Sequence, residues 1–248
     1  MMKQAKAFNS ITYVFQENPP VIQLKPEPAT RCCTVIVTAA HSEYAVFMNA
    51  LRRHGWIDDS CSIIEMQHSE RRFTYVHRLH LFALQLEDMR ALQFLNVCPD
   101  QIILTGTARC FNVKRAPCDT VVAADAVLDM ARNIRYECPS LEHWLDIQNA
   151  EMERGSYFSE TDVKSVFAMQ KENGKWEELL AFDAENCTFA RICNAAGWNW
   201  AIVKAVTNDL SIPNRRMREY AAELAAERVI EALEWNRVKR FSTDLYVG

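Results

Sequence analysis

The chain has 248 residues, of which 49% are hydrophobic and 24% charged, and its formal net charge is −4. This length suffices for one large α/β domain or two small ones, and the acidic balance argues against binding to a nucleic acid backbone. No apolar run approaches the roughly 20 residues of a membrane helix, and the first residues lack the apolar core of a secretory signal. We therefore expect a cytoplasmic protein whose partners include neither nucleic acid nor membrane.

Nine cysteines are scattered along the chain, and no CxxC motif occurs among them. Disulfide frameworks and zinc clusters need closer, paired spacing, so we interpret these residues as reduced thiols that lie mostly in buried segments. His77 and His80 have neither the i,i+4 spacing nor the acidic companion of a helical zinc site. The sequence predicts no metal and no cofactor.

The amino-terminal segment differs from the rest of the chain. "NPPVIQLKPEPAT" contains four prolines and cannot continue a helix, so we predict an extension over residues 1–30 and one domain over 31–248. "CCTVIVTAA" then forms a continuous apolar, β-branched run, which is typical of a strand buried on both faces. "SEYAVFMNALRRHGW" has the periodicity of an amphipathic helix, with Ser42 as a candidate N-cap and Gly55 at its end.

The rest of the chain alternates between strand and helix patterns. We predict strands at "CSIIEMQ", "RFTYVHRL", "DQIILTGTA", "DTVVAADAV", "DVKSVFAM" and "NWAIVKAVTN". We predict helices at "LEDMRALQFLNV", at "SLEHWLDIQNAEMERG", at "ENCTFARICNAAG" up to Gly197, and from Pro213 along a long final segment. This alternation, with several uniformly apolar strands, predicts a three-layer α/β/α sandwich with a mixed, largely parallel central sheet.

Polar residues collect at the ends of the apolar strands, where sheets of this kind bind their ligands. Those that follow strands are His41, Ser42, Glu43, Thr107, Arg109, Thr207, Asn208 and Asp209. Asp183 and Glu185 lead into a predicted helix, whose positive N-terminal end favours anions. We expect the loops after Thr38, Gly106 and Val206 and the start of this helix to surround one cleft.

Four segments of the chain carry a resemblance to a known family. They are, in this order, "VIVTAAHSEY", "ILTGTARCFNVKRAPCDTVVA", "AFDAENCTFARIC" and "AIVKAVTND", and the similarity spans about residues 32–240. They resemble the nucleoside phosphorylase and nucleosidase superfamily, especially its methylthioadenosine/S-adenosylhomocysteine nucleosidase branch. The resemblance implies the fold of that superfamily, a purine nucleoside or related nucleotide as the ligand, and a homodimer.

The resemblance also implies roles for single residues. Glu43 falls on the glutamate that activates water, and Glu185, beside Asp183, falls on the acid that accepts hydrogen bonds from ribose hydroxyls. From the residues alone, Glu43 could equally be a solvated acid in the first turn of a helix, and the other two could be capping acids. The remaining binding candidates are Thr107, Arg109 and His41. Arg109 could bind phosphate or fill the space left for a ligand, and His41 could donate a hydrogen bond or be incidental.

The chain departs from the family pattern at several positions. The catalytic aspartate falls on Asn208, whose amide donates a hydrogen bond but cannot transfer a proton. Three interpretations remain open: "VTN" resembles the "I-T-N" strand end of trimeric purine nucleoside phosphorylases, a one-residue bulge presents Asp209 instead, or catalysis is lost. Arg109-Cys110 replaces two glycines, Ala184 replaces a methionine, and "FTYVHRLHLFAL" contains no glycine where a glycine-rich segment is expected.

We predict a protein that cleaves the N-glycosidic bond of a purine nucleoside or related nucleotide, with Glu43, Asn208 and Asp209 as catalytic candidates. Hydrolysis is favoured over phosphorolysis because Glu43 falls on the water-activating position and no phosphate-binding loop is recognisable. The alternative is an inactive member that binds a nucleoside-like ligand or a protein partner. Trp56, Trp198 and Trp200 lie near loops, where we expect an apolar patch that a second copy could cover.

Overall fold

The computed structural model describes residues 34–56, 63–68, 71–76, 81–89, 99–110, 118–129, 132–138, 152–159, 179–208 and 215–244. The strands are β1 (Thr34–Thr38), β2 (Ile63–His68), β3 (Arg71–Val76), β4 (Leu81–Gln85), β5 (Gln101–Cys110), β6 (Val121–Asp129), β7 (Ile134–Glu137), β8 (Met152–Ser159), β9 (Leu179–Asp183) and β10 (Trp200–Asn208). The helices are α1 (His41–Arg53), α2 (Asn186–Ala196) and α3 (Arg215–Asp244). No helix in these ranges is both long and apolar enough to cross a bilayer.

The strands form one mixed sheet in the order β10-β6-β8-β9-β5-β1-β4-β3-β2, with β7 paired to β6 outside this order, and β10 also pairs with β5. Its central strands are parallel: β1 pairs in this way with β4 and β5, and β5 with β10. The additional pairing closes β5, β10, β6, β8 and β9 into a ring, from which β1, β4, β3 and β2 extend. The sheet therefore curls on itself on one side of β5 and stays open on the other.

Helices cover both faces of the sheet. On one face, Val37 of β1 and Leu104 of β5 pack in a cluster with Phe189 of α2. On the other face, Ile36 and Ile103 pack in a cluster with residues of α1 and α3. Successive side chains of a strand point to opposite faces, so two covered faces require a continuous apolar run. The predicted three-layer α/β/α architecture is confirmed, and each buried aliphatic side chain contributes about 1.5–3 kcal/mol.

Several predicted boundaries were wrong. Helix α1 begins at His41 with Ala40 as its N-cap, so Ser42 lies within the first turn instead of capping it. The end of the helix predicted over "SLEHWLDIQNAEMERG" is strand β8, because pairing with β6 and β9 overrides the local pattern. Gly197 does end α2 in the left-handed conformation, with φ of 68°. Residues 1–30, "DVKSVFAM", Pro213 and Asp209 lie outside the described residues, as does "LEDMRALQFLNV" after its first turn.

The tryptophans do not form the expected surface patch. Trp200 is fully buried and Trp198 is 8% exposed, both in the cluster beneath α2. Trp56 is partly buried, and its indole N–H donates a hydrogen bond to Glu234 Oε1 at 2.7 Å. The tryptophan argument for self-association is therefore wrong, and the homodimer stays a prediction from the resemblance.

The described cysteines are consistent with reduced thiols. Cys110, Cys118, Cys138, Cys187 and Cys193 do not take part in disulfide bonds. Cys110 and Cys193 are buried, Cys138 and Cys187 are partly buried, and Cys118 is exposed. Most of these residues therefore act as small apolar groups in the protein interior.

An ionic cluster joins α1 to α3. The two ring nitrogens of His54 lie 2.5 Å from Glu227 Oε2 and 3.1 Å from Glu234 Oε1, and Arg53 donates to Glu227. Only the protonated imidazole can donate from both nitrogens. The hydrogen bond with Glu227 raises the pKa of His54 above its ordinary value, although partial burial opposes this shift.

We expect His54→Gln to destabilise the protein by about 1 kcal/mol in acid solution, and less in alkaline solution. Because the pKa of His54 is raised on folding, its contribution is fully present below about pH 6.5 and is lost as pH rises through the folded-state pKa. Thermal unfolding at pH 5.5 and pH 9 measures this difference as about 2–4 °C. Arg52→Gln, at an exposed residue that bonds Asn49, is the control. An effect of His54→Gln that grows with pH would contradict the assignment.

Candidate active site

The site begins where β5 changes its partner. On one edge, β5 pairs with β1 from Gln101 to Thr105 and then with β9 at Arg109 and Cys110. Gly106 lies between these two pairings and has φ of 139°, a conformation that side chains disfavour. The chain leaves β1 at this level and enters α1, so the first turn of α1 lies against the gap.

Glu43 of α1 fills this gap. Its Oε1 accepts hydrogen bonds from the backbone N–H and the hydroxyl of Thr107, both at 2.8 Å. Its Oε2 accepts one from the N–H of Ala40 at 3.1 Å, which caps the helix. A Cβ atom placed on Gly106 would lie 2.6 Å from Glu43 Cδ, so any other residue there would displace this carboxylate from its place. Glu43 is therefore both the first-turn acid of its helix and a fixed side chain of the cleft.

A buried lysine lies at the centre of the acidic residues. Lys204 of β10 is 0% exposed, and its ammonium contacts Asp183 Oδ2 and lies 3.8 Å from Glu185 Oε2. Burial lowers the pKa of Lys204, but the negative charges of Asp183, Glu185 and Glu43 raise it more, so the side chain stays protonated. Our sequence interpretation missed this residue. Its signal was a single charge within the apolar strand "AIVKAV".

Asp183 and Glu185 have different surroundings. Asp183 Oδ1 accepts hydrogen bonds from the N–H groups of Glu185 and Asn186 at 2.9 and 2.8 Å, which caps α2, and its Oδ2 contacts Lys204. Both of its oxygens are thus used within the protein. The Glu185 side chain is 33% exposed. Its pKa is raised above the ordinary value, mainly by burial and further by the charges of Asp183 and Glu43, although the charge of Lys204 acts in the opposite direction. Of these two acids, Glu185 is therefore the one that remains accessible to a ligand.

These residues surround one cavity of about 530 Å³. Its lining includes Glu43, Thr107, Arg109, Asp183, Glu185 and Thr207, so the three loops and the start of α2 meet at one cleft. His41 is absent from the described lining; its Nδ1 lies 3.0 Å from Gln85 Nε2 and its ring stacks on Tyr44.

The end of β10 contains a β-bulge, which was one of the interpretations left open by the sequence. The register between β10 and β5 shifts between Val206 and Asn208, and Asn208 pairs with Arg109. The Thr207 hydroxyl donates to the carbonyl of Ala108 at 3.2 Å. The bulge therefore falls at Thr207, one residue before Asn208. The Asn208 side chain and all of Asp209 lie outside the described residues.

Helix α3 supplies lining residues that our sequence interpretation did not include. They are Arg215, Arg218, Glu219 and Ala222. The first turn of this helix, "RRMR", is basic and contains no acid. Basic residues are unfavourable at the positive end of a helix, so this run was a signal that we did not use.

The fold has counterparts among solved structures, although no protein-family model and no curated protein matches the sequence. S-adenosylhomocysteine nucleosidase of Streptococcus pyogenes, in complex with 5-methylthiotubericidin, has a TM-score of 0.64 at 14% identity and covers 84% of this chain and 98% of its own. The 5′-methylthioadenosine/S-adenosylhomocysteine nucleosidase of Colwellia psychrerythraea 34H, in complex with adenine, has a TM-score of 0.62 at 12% identity, with coverages of 82% and 95%.

A third structural neighbour is named for a different substrate, futalosine. Futalosine hydrolase of Helicobacter pylori strain 26695 has a TM-score of 0.62 at 10% identity and covers 83% of this chain and 98% of its own. All three similarities span nearly the whole neighbour, and at these identities they show the fold. The chain therefore has the fold of the nucleoside phosphorylase and nucleosidase superfamily, in the form found in methylthioadenosine/S-adenosylhomocysteine nucleosidases.

Proposed function

We propose that the protein cleaves the N-glycosidic bond of a purine nucleoside or related nucleotide by hydrolysis. The observation that carries this proposal is the Glu43 carboxylate, held by three hydrogen bonds in the same cavity as the accessible Glu185. The solved neighbours in complex with adenine and with 5-methylthiotubericidin support a ligand of this class. Cytoplasmic location and a homodimer are further proposals, which rest on composition and on the resemblance.

Glu43 is the proposed base. Its Oε1 already accepts two hydrogen bonds, whereas Oε2 accepts one, so a lone pair of Oε2 is available to a water molecule. A carboxylate that orients water in this way can accept its proton as the oxygen attacks the anomeric carbon. Because three donors fix the carboxylate, little reorganisation is needed when the reaction occurs.

Glu185 is the proposed ribose-binding acid. An ionised carboxylate can accept hydrogen bonds from two vicinal hydroxyls, and such bonds are stronger than those between neutral groups. Burial and the charges of Asp183 and Glu43 raise the pKa of Glu185, and the buried ammonium of Lys204, 3.8 Å away, opposes this shift and favours the ionised form that this role requires. Asp183 holds Lys204 and the start of α2, so we assign it a positioning role instead of contact with the ligand.

One observation favours a second candidate, a protein that binds a nucleoside without cleaving it. In the resemblance, Asn208 falls on the acid that protonates the leaving base, and an amide cannot supply that proton. Release of free base separates the two candidates, because both predict binding and only the hydrolase predicts the product.

The test is incubation of the purified protein with purine nucleosides and nucleotides, with and without phosphate, followed by an assay for free base. We expect release of base in the absence of phosphate, and we expect Glu43→Gln to lower kcat by about 10²–10⁴-fold, because the amide cannot accept the proton. Glu231→Gln, on the exposed face of α3, is the matched control. Full activity of Glu43→Gln would refute its role as base, and binding without any free base would favour the second candidate.

A further inference from the structure

The cavity has basic as well as acidic walls. Arg109 of β5 and both Arg215 and Arg218 of α3 line it. Arg215 Nε donates to Glu219 Oε1 at 2.7 Å, so this guanidinium is neutralised within its own helix. Arg109 and Arg218 have no carboxylate partner among the described residues. Within the described part of the chain, two guanidinium groups without a carboxylate partner therefore border the cavity.

The position of Arg218 adds a second argument. It belongs to the first turn of α3, a helix of 30 residues, together with Arg215 and Arg216. The free N–H groups of a helix N-terminus already carry partial positive charge, so adjacent cations are unfavourable there and an anion is favourable. An anionic ligand group would relieve this repulsion and gain hydrogen bonds from the guanidinium groups.

The acidic side of the cavity is electrostatically distinct. Lys204 contacts Asp183 and lies 3.8 Å from Glu185 Oε2, and among the described residues none of the three arginines lies within ion-pair distance of Glu185. The acids suit the hydroxyls of a sugar, which donate hydrogen bonds, and they repel an anion. A ligand with a neutral sugar and an anionic substituent matches both sides in a single orientation.

We propose that the substrate is a purine nucleotide, whose phosphate monoester binds Arg109 and Arg218, and this inference rests on the proposed hydrolysis. The guanidinium fork matches phosphate oxygens in a bidentate arrangement. Water supplies a hydroxyl to the anomeric carbon and a proton to the leaving base, the C–N bond breaks, and the phosphate ester stays intact. The products are a free purine and a ribose phosphate.

The experiment compares kcat/KM for adenosine and inosine with that for their 5′- and 3′-monophosphates. We expect kcat/KM for one nucleotide to exceed that for its nucleoside by at least about tenfold. We expect Arg218→Gln to lower kcat/KM for this nucleotide about tenfold to hundredfold, with little effect on the nucleoside. Arg109→Gln should act in the same direction. Arg216→Gln, from the same helical turn but outside the described lining, should preserve the preference.

Inorganic phosphate distinguishes the two sources of the anion. If the anion site binds the phosphate group of the substrate, inorganic phosphate should compete for this site and inhibit cleavage of the nucleotide competitively. Acceleration of nucleoside cleavage by phosphate, with sugar 1-phosphate as product, would overturn the proposal, as would equal kcat/KM for nucleosides and nucleotides.

Calorimetry of nucleotide binding separates this inference from the proposed hydrolysis. Nucleotide binding that Arg218→Gln weakens, without release of base, would support the anion site and refute hydrolysis. Cleavage of nucleosides without preference for nucleotides would do the reverse. Absence of both nucleotide binding and cleavage would overturn the inference.

Discussion

Lys204→Met is expected to destabilise the protein by about 3–5 kcal/mol, because removing one member of a buried ion pair leaves the other uncompensated. The ammonium is fully buried against Asp183, whose side chain is 9% exposed, so water cannot replace the lost charge. For a chain of this size the loss corresponds to a fall in Tm of roughly 6–20 °C. Thermal or urea unfolding of the purified variant measures it.

The double variant Lys204→Met/Asp183→Asn tests the cause. Asparagine keeps an oxygen that can accept hydrogen bonds from the N–H groups of Glu185 and Asn186, so the cap of α2 is preserved while the charge is removed. We expect it to recover a large part of the lost stability, as a favourable interaction energy in a double-mutant cycle. Arg191→Met, which removes a charge from the surface of α2, is the control. A single variant within about 1 kcal/mol of the parent would show that the ion pair is not required.

Gly106→Ala is expected to impair both stability and activity. The new Cβ would lie 2.6 Å from Glu43 Cδ, and φ of 139° is strained for any side chain. We expect a loss of about 1–3 kcal/mol in stability and about a hundredfold loss in kcat of the proposed hydrolysis, since a displacement of about 1 Å in the proposed base would have an effect of this size. Unfolding and release of base, measured on one preparation, report the two effects.

Gly55→Ala is the matched control for this glycine. Gly55 also has positive φ, at 70°, but no atom lies within 4 Å of the place that a Cβ would take there. It should therefore cost stability through backbone strain without any loss of kcat. If Gly106→Ala lowers kcat no more than Gly55→Ala does, contact with Glu43 does not limit the backbone at this position.

The parts of the fold that could be read from the sequence are those buried on both faces. β1, β5, β6 and β10 are mainly apolar runs, and α2 ends at a glycine, so local pattern and tertiary position agree. β4, β7 and β9 have only four or five residues each, and their strand character depends on partners far along the chain. The final residues of the wrongly predicted helix form β8 for the same reason. Short strands carry too little periodicity to be recognised alone.

The site was predictable to the extent that its residues lie within recognisable segments. Glu43 and Glu185 were found because each lies at a junction of strand and helix. The hydrogen bonds of Thr107 to Glu43 join residues 64 positions apart, and no local pattern encodes such a distance. Lys204 and Arg218 were missed because a charge in a strand or at a helix end gains meaning only when its neighbours are known.

The closed ring of strands has a consequence for how the site is lost. Asp183 lies on β9, which pairs with β5 and β8, and Lys204 lies on β10, which pairs with β5 and β6. Sheets usually fray from an unpaired edge, but these strands have hydrogen-bonded neighbours on both sides. Opening these strands requires breaking the ring, and the free energy of this opening approaches that of global unfolding. Their amide hydrogens should therefore exchange slowly with solvent. We therefore expect the acidic side of the cavity to keep its structure until the whole domain unfolds.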